Sequence, residues 1–494
     1  MYALLKRLFS ESFFYSVGNL LGRSISLLTM PIFTRHMSVA EYGILSLVRP
    51  FGEFVRIFVE MGASASAARF YYDDDAHNYR VTLFSTLFFF ISVCALCTAL
   101  VLMFFAEPLW NRFVQDVPFS PYVVVVTFSA LISAPAVLTR TLFRVQGQAR
   151  QFIKLNLFYT LSVAALSIPS VVVFDMGALG PLVSTLAVTS VFAVVFYRHL
   201  RQYLGFTFSF PLLRSVLAFG LPEIPVRFGN WTLKTISQLI LQHYWSLATV
   251  AVFSVAYVVA TILFELVVNA IHTAIQPFYY QVAKEEAQET SSEVFAYVGT
   301  LNATIILFFA LFAISFGKEL ILILASSKYA GAEPLITVLA LSAVFQFLFF
   351  IPSRVFYLEK KTAYLTPLLL LAVAINIMFS LLLIPPYGAL GAAWANLIAF
   401  ASRSVVALTL AQRVRYIPYD YIRIGKATFA FALLFSAGFL VPTDASLPLD
   451  LALKTLIICL FPILLLVTGF FEQRELRRAK ELVQQQLAIR FKRQ

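Results

Sequence analysis

Apolar runs of about twenty residues follow one another along the whole chain, separated by short polar breaks. Fourteen can be drawn: 13–33, 42–63, 82–105, 119–139, 153–174, 178–197, 214–241, 249–275, 295–316, 334–352, 363–384, 389–410, 425–441 and 450–471. A run of that length crosses the hydrocarbon core of a bilayer as a helix, which satisfies its own backbone polar groups. Of the 494 residues, 13% are charged and 60% hydrophobic. That leaves too little polar surface to cover a water-soluble globule, and it excludes disorder, collagen-like repeats and coiled coils. The expected fold is an all-α integral membrane protein of about 14 transmembrane helices, with no room for a soluble catalytic domain.

Lys6 and Arg7 precede the first run as in a signal peptide. Asn19 and Arg23 interrupt it, however, and no clean small-residue cleavage site follows, so it reads as a retained helix. The tail from Glu472 is basic and amphipathic and suits a surface helix. Cys94, Cys97 and Cys459 all lie in apolar runs. The Cys94–Cys97 spacing therefore reads as packing rather than redox or zinc chemistry.

The net charge of +12 has a topological explanation. With a cytoplasmic N-terminus and fourteen helices, twenty-six of the 37 lysines and arginines fall on the cytoplasmic side, and only Arg35, Arg112, Lys318 and Lys328 outside. Both termini are expected in the cytoplasm, and nucleic acid is not needed to explain the balance. The other seven basic residues lie at membrane depth.

The chain also repeats itself. Met176-Gly177-Ala178-Leu179-Gly180-Pro181 returns as Tyr387-Gly388-Ala389-Leu390-Gly391-Ala392, 211 residues later. Arg69-Phe70-Tyr71-Tyr72 returns as Pro277-Phe278-Tyr279-Tyr280, and Ser46-Leu47 as Ser254-Val255, both at 208. Thr139-Arg140 and Ser353-Arg354 are 214 apart. The near-constant offset predicts two six-helix lobes in the same orientation, a transporter architecture with the substrate path between the halves. The expected divisions are 1–205 (helices 1–6), 206–416 (helices 7–12), 417–471 (helices 13 and 14, outside the repeat) and 472–494 (the basic tail).

Four helices carry polar stripes in this apolar background. They are Ser12, Ser16, Asn19, Arg23 and Ser26 in the first, and Arg49, Glu53, Arg56 and Glu60 in the second. The seventh holds Glu223, Arg227, Asn230, Lys234 and Gln238, and the eighth Glu265, Asn269, His272 and Gln276. Steps of three and four residues put each set on one helical face. Charges at bilayer depth are costly and call for a cavity or a partner. One reading is neutralisation within packed helices through Arg49–Glu53, Arg56–Glu60 and Glu223–Arg227. The other is a hydrated cavity lined by helices 1, 2, 7 and 8. There Arg23, Arg49, Arg56, Arg227 and Lys234 outnumber Glu53, Glu60, Glu223 and Glu265 by one. Arginine forks suit phosphate oxygens, so this cavity would take an anionic, phosphate-bearing substrate. Helices 9–12 look drier, with Asn302, Gln346, Asn376, Asn396 and Arg403 scattered singly. Asp73-Asp74-Asp75 reads as a solvated acidic loop, and the five histidines lack metal-ligand spacing. No cofactor or metal is expected. His272 is the candidate for proton coupling.

The stretch Ser38-Val39-Ala40-Glu41-Tyr42-Gly43 resembles a turn of bacterial polysaccharide exporters. Val255-Ala256-Tyr257, Leu341-Ser342-Ala343 through Glu359-Lys360-Lys361-Thr362, Asn376 to Leu383-Ile384-Pro385, and Tyr387 to Ala393 resemble their second half. Together, from about residue 12 to 440, the chain is similar to the Wzx-type lipid-linked oligosaccharide flippases of the multidrug/oligosaccharidyl-lipid/polysaccharide exporter superfamily. The resemblance implies alternating access that carries an undecaprenyl-pyrophosphate-linked glycan across the cytoplasmic (inner) membrane. It implies pyrophosphate binding by Arg23, Arg49, Arg56 and Arg227, with Lys234 and Asn19 beside them. It also implies coupling to a proton or sodium gradient, and membrane lipids and polysaccharide polymerase machinery as partners. One departure is clear: many members carry an Asp-Arg pair in the seventh helix where this chain has Ser237-Gln238. Lys234, one turn earlier, partly replaces that arginine.

Two other functions compete. A drug/cation antiporter of the same superfamily would want a net acidic cavity. A membrane-embedded glycosyltransferase or ligase would want a large loop or a catalytic carboxylate constellation. The expected function is therefore transport, not catalysis.

Overall fold

The computed structural model describes residue 25 and residues 27–114, 116–285, 287–439 and 447–472. Asn19, Arg23, Ser12, Ser16, Ser26 and the tail beyond Glu472 lie outside them. In chain order the helices are α1 (27–36), α2 (Val39–Glu60), α3 (Ala63–Phe70), α4 (His77–Phe113), α5 (Val124–Ile132), α6 (Ala134–Val145), α7 (Ala149–Val172) and α8 (Leu179–Leu200). Then come α9 (Phe210–Gly220), α10 (Glu223–Tyr244), α11 (Leu247–Leu263), α12 (Asn269–Glu285), α13 (Gln288–Ser315) and α14 (Gly317–Leu324). The last are α15 (Glu333–Leu348), α16 (Phe350–Leu358), α17 (Leu365–Val414), α18 (Tyr421–Gly438) and α19 (Leu447–Val467). The described residues hold no strand.

Every expected segment from the second to the fourteenth is helical over most of its length. By length and apolarity alone, however, only eight helical stretches among the described residues can cross a bilayer, or nine if the bent α5–α6 pair is one span. The shortfall from fourteen has physical causes. The charge stripes make α2 and α10 too polar to pass, and α18 opens on Arg423 and Lys426. The 50-residue α17 is two expected spans run together, and its backbone turns at Gly388 (φ 55°, ψ −129°). The expected seventh segment is broken at Leu221 and Pro222 into α9 and α10. In the eighth, a wider five-residue turn at Phe264–Val268 carries Glu265 between α11 and α12.

Local chemistry starts the helices that matter. Ser38 and Glu41 form a capping box on α2: Glu41 N–H donates to Ser38 Oγ (3.2 Å), and Ser38 N–H to Glu41 Oε2 (2.8 Å). Ser246, 208 residues later, caps α11 by accepting from Thr249 N–H (3.2 Å). The glycines of the two similar hexapeptides match as well. Gly177 (φ 50°) and Gly388 (φ 55°) both take positive φ, open to glycine without strain.

Helices in lipid gain little from burying apolar surface, so close packing through small residues holds them together. A central cluster joins both halves of the chain through α2, α5, α8, α11 and α15, and includes Val48, Ala251, Val255, Ala256, Ala260 and Ala340. Where α2 meets α11, a Cβ on Gly43 would lie 2.1 Å from the Leu247 carbonyl oxygen, so the two backbones nearly touch. The same end carries a latch between the halves. Arg35 donates to the Leu322 and Ile323 carbonyls (3.2 and 3.3 Å), and Lys328 Nζ to those of Arg35 and Met37 (2.9 and 3.3 Å). The long α4 shows Val93, Leu96, Leu100, Val101, Met103, Phe104 and Phe105 on its outside, an apolar belt facing lipid. Cys97 is exposed on this helix and Cys94 contacts Met61 sulfur at 3.6 Å, as expected of packing cysteines.

Candidate functional site

Two contacts set α2 against α10 in antiparallel register, Glu60 with Arg227 and Trp231 Nε1 donating to the Pro50 carbonyl (2.7 Å), and beyond them Gly43 meets Leu247 at the start of α11. The polar stripes of the second and seventh helices therefore face one interface. Their pairing differs from the sequence expectation. Arg56 pairs with Glu53, three residues back, and not with Glu60. Glu60 is 8% exposed and pairs across the interface, its Oε2 2.5 Å from Arg227 Nη1. Arg227 also holds Glu223 (Nε–Oε1, 3.2 Å), the one expected intrahelical pair that forms. The expected Arg49–Glu53 and Arg56–Glu60 pairs do not, because Arg227 captures the Glu60 carboxylate and Glu53 is left for Arg56.

Two cations of the stripes stay without a carboxylate partner among the described residues. Arg49 and Lys234 are both exposed; Arg49 precedes Pro50, whose carbonyl accepts from Trp231, and Lys234 lies three residues beyond Trp231. Arg56 and Arg227 are largely neutralised. The five cations of the expected cavity thus separate into two paired ones, two open ones and Arg23, which lies outside the described residues.

The eighth-helix stripe faces elsewhere. Glu265, Asn269 and His272 line a cleft of about 380 Å³ together with Val226 and Asn230 of α10. Asn269 Nδ2 donates to Glu265 Oε2 (3.0 Å). His272 is 6% exposed, hydrogen-bonded through Nε2 to Asn302 Oδ1 (2.9 Å) and stacked on Phe350 with ring centroids 3.7 Å apart. The far wall comes from α15, α16 and α17, and it carries Gln346, Arg354 and Arg403. Polar residues of the helices that look drier in the sequence thus share a cleft with the seventh- and eighth-helix stripes. In the sequence Arg403 stood among the scattered polar residues and Arg354 among the cytoplasmic charges, and the bundle brings both to one cleft with the eighth-helix stripe. Their shared signal was faint: a basic residue beside aromatics, Phe349–Phe350 and Phe400.

Ser237, at the departure from the exporter pattern, is buried in a neutral network. It contacts Ser380 Oγ (3.2 Å) and Asn376 Oδ1 (3.5 Å), and Asn376 Nδ2 donates to Asn396 Oδ1 (2.8 Å). These four residues tie α10 to both halves of α17. Gln238 turns to Ser254 of α11 (3.3 Å). In the acidic loop Asp73 pairs with Arg69 (2.5 Å), Asp75 with Arg80, and Asp74 accepts from Ala76 N–H (2.8 Å). Among the described residues no cluster of histidine, cysteine and carboxylate groups could hold a metal ion.

Two basic residues act as clamps. Arg415 is 8% exposed and donates to Ser291 Oγ (2.6 Å), Ser292 Oγ (3.1 Å) and the Gln288 carbonyl (3.1 Å), with Glu359 3.3 Å away. Lys454 of α19 is held by Glu319 of α14 (2.6 Å) and by Asp450 (2.8 Å).

Known proteins share this architecture. The lipid II flippase MurJ, in an inward closed conformation, has a TM-score of 0.73 at 13% identity, covering 91% of this chain and 97% of that one. The MATE multidrug transporter DinF-BH has a TM-score of 0.60 at 15% identity (83% and 96% covered). An inward-facing multidrug resistance MATE family transporter of the MOP superfamily has 0.58 at 14% identity (85% and 95%). At such identities the likeness is one of fold. Among curated proteins, none matches the sequence significantly. The family model of polysaccharide biosynthesis proteins matches residues 32–334, more than half of the chain, a stretch that includes α2, α10 and the eighth-helix stripe. This multi-pass membrane chain therefore belongs to the polysaccharide biosynthesis protein family.

Proposed function

We propose that the chain is a flippase that carries a glycan, linked to undecaprenyl pyrophosphate, across the cytoplasmic membrane by alternating access. The observation that carries this reading is the pair of open cations, Arg49 and Lys234, on the interface between the two halves of a polysaccharide biosynthesis protein. Water and carboxylates normally neutralise a charge at membrane depth. Two cations with no carboxylate partner among the described residues suit an anion that arrives and leaves, and pyrophosphate offers oxygens to both. The paired Arg56, Arg227, Glu53, Glu60 and Glu223 hold the walls around that anion, and Arg23 and Asn19 of the first helix would join it.

The MATE-like and MurJ-like fold supports transport rather than catalysis. The basic bias of one set of loops supports cytoplasmic termini. Lobes at 1–205 and 206–416 would rock against each other, with 417–471 riding on the second. Coupling would draw on a proton or sodium gradient, with buried His272 and Glu265 as the groups on which a proton would act. The polymerase that lengthens the glycan would be the downstream partner.

A strain lacking the protein should accumulate lipid-linked repeat units on the cytoplasmic face, read by mass analysis of lipid extracts. Arg49→Gln and Lys234→Gln should each lower export about tenfold or more at normal protein level, the loss expected when a charged hydrogen bond is removed. Unchanged lipid-linked intermediates in the deletion strain would sink the reading.

A further inference from the structure

We infer that the cleft lined by α10, α12, α15, α16 and α17 is a second anion subsite, shaped for a carboxylate-bearing sugar of the transported glycan. The inference rests on the proposed function. It adds what the cargo must contain.

Two arginines carry it. Arg403 is 8% exposed, and its guanidinium lies over Phe349 (4.1 Å) and Phe400 (5.3 Å). Arg354 lies over Phe350 (4.1 Å) and Tyr357 (5.3 Å). The Nε of each is buried without a hydrogen-bond partner. Neither has a carboxylate within salt-bridge distance among the described residues, although both line the cleft. Burying a cation without a counter-charge is costly, and Arg227 and Lys454 offset that cost by holding two carboxylates each. Arg140, the counterpart of Arg354 in the first half, stacks in the same way on Tyr159 and Phe196 but is not part of this cleft. The ring stacking orients both guanidinium planes, and no described carboxylate sits on their donor edges, a geometry that grips a planar carboxylate through paired hydrogen bonds.

The remaining lining identifies the rest of the ligand. Asn230, Asn269 and Gln346 supply amides that both donate and accept, and Glu265 supplies one acceptor group. Phe347, Phe349 and Tyr357 supply flat apolar faces. Hydroxyls beside an apolar ring face are the surface of a sugar. A volume of about 380 Å³ lies near the small end of ligand pockets, roughly 300–1,000 Å³, and suits one or two sugar rings rather than a lipid chain. Asn230 stands between Arg227 and Lys234 on the α10 stripe. One molecule can therefore place its pyrophosphate against α2 and α10 and its first sugars in the cleft.

The test uses the purified full chain in lipid nanodiscs with three probes: digalacturonic acid, its carboxyl-reduced neutral counterpart, and inorganic pyrophosphate. Binding is read by saturation-transfer NMR. The acidic disaccharide should bind about tenfold or more tighter than the neutral one, the worth of a charged hydrogen bond. Arg403→Gln and Arg354→Gln should each erase that preference while pyrophosphate binding stays as in the wild type. Arg354 is only half-buried, so its variant carries the test if Arg403→Gln fails to fold. Equal binding of the two disaccharides to the wild type overturns the inference, as does retention of the preference in folded variants. Loss of pyrophosphate binding instead of acidic-sugar binding also overturns it, since the cleft would then read the phosphate. If the inference fails while the deletion strain still accumulates lipid-linked units, it falls alone. If that strain accumulates nothing, the flippase reading falls with it.

Discussion

Glu60 and Arg227 belong to different helices, yet their charged atoms are 2.5 Å apart and each is largely withdrawn from solvent. A double-mutant cycle with Glu60→Gln and Arg227→Gln, read by thermal unfolding in detergent, should give a coupling of about 0.5–3 kcal/mol. The charge-swapped pair should recover part of it. Arg415 makes a sharper case. Arg415→Ala strands two buried serines, Ser291 and Ser292, beside the partly exposed Glu359 and should cost about 1–3 kcal/mol of stability in the same assay. In the sequence, spacing made these residues visible as charges at depth, but it could not choose their partners. Arg56 has Glu53 at three residues and Glu60 at four, and only the neighbouring helix decides between them. Arg415 was visible only as one more cytoplasmic charge, because its serine partners lie more than a hundred residues away.

At the level of the element, α17 rests on one residue. Gly388 has φ 55°, and a Cβ there would lie 2.9 Å from Trp245 Cε2, whose indole N–H donates to the Ile384 carbonyl (2.9 Å). Gly388→Ala should destabilise the protein by about 1–3 kcal/mol, the cost of a strained backbone, and the loss should show as a lower unfolding midpoint. Tyr387-Gly388-Ala389 marked this break in the sequence, because apolar runs of spanning length end and begin there. The break between α9 and α10 was not visible, since the stripe Glu223–Gln238 continues in helical period right up to Pro222. The Ser38–Gly43 stretch carried more structure than its resemblance stated. Ser38 and Glu41 start α2, and Gly43 lets α2 touch α11.

Across the whole molecule, the cleft holding Arg354 and Arg403 is assembled from residues 226 to 403. No segment contributes enough polar residues to show a period, so this part of the site was not legible until the helices were brought together. The contact at Gly43 is equally global, because it closes one end of the interface between the halves. Gly43→Val should pry that end open. A cysteine placed at Met37, 1% exposed beside this contact, in a chain freed of Cys94, Cys97 and Cys459, should then react faster with a membrane-impermeant maleimide. Unchanged reactivity would show that this contact does not set the closed state.

The latch beside Gly43 has a consequence of its own. Its hydrogen bonds run from Arg35 and Lys328 to backbone carbonyls. A backbone carbonyl is present whatever side chain its residue carries. The latch therefore survives substitution of Leu322, Ile323 or Met37, and it yields only when one stretch of backbone moves past the other.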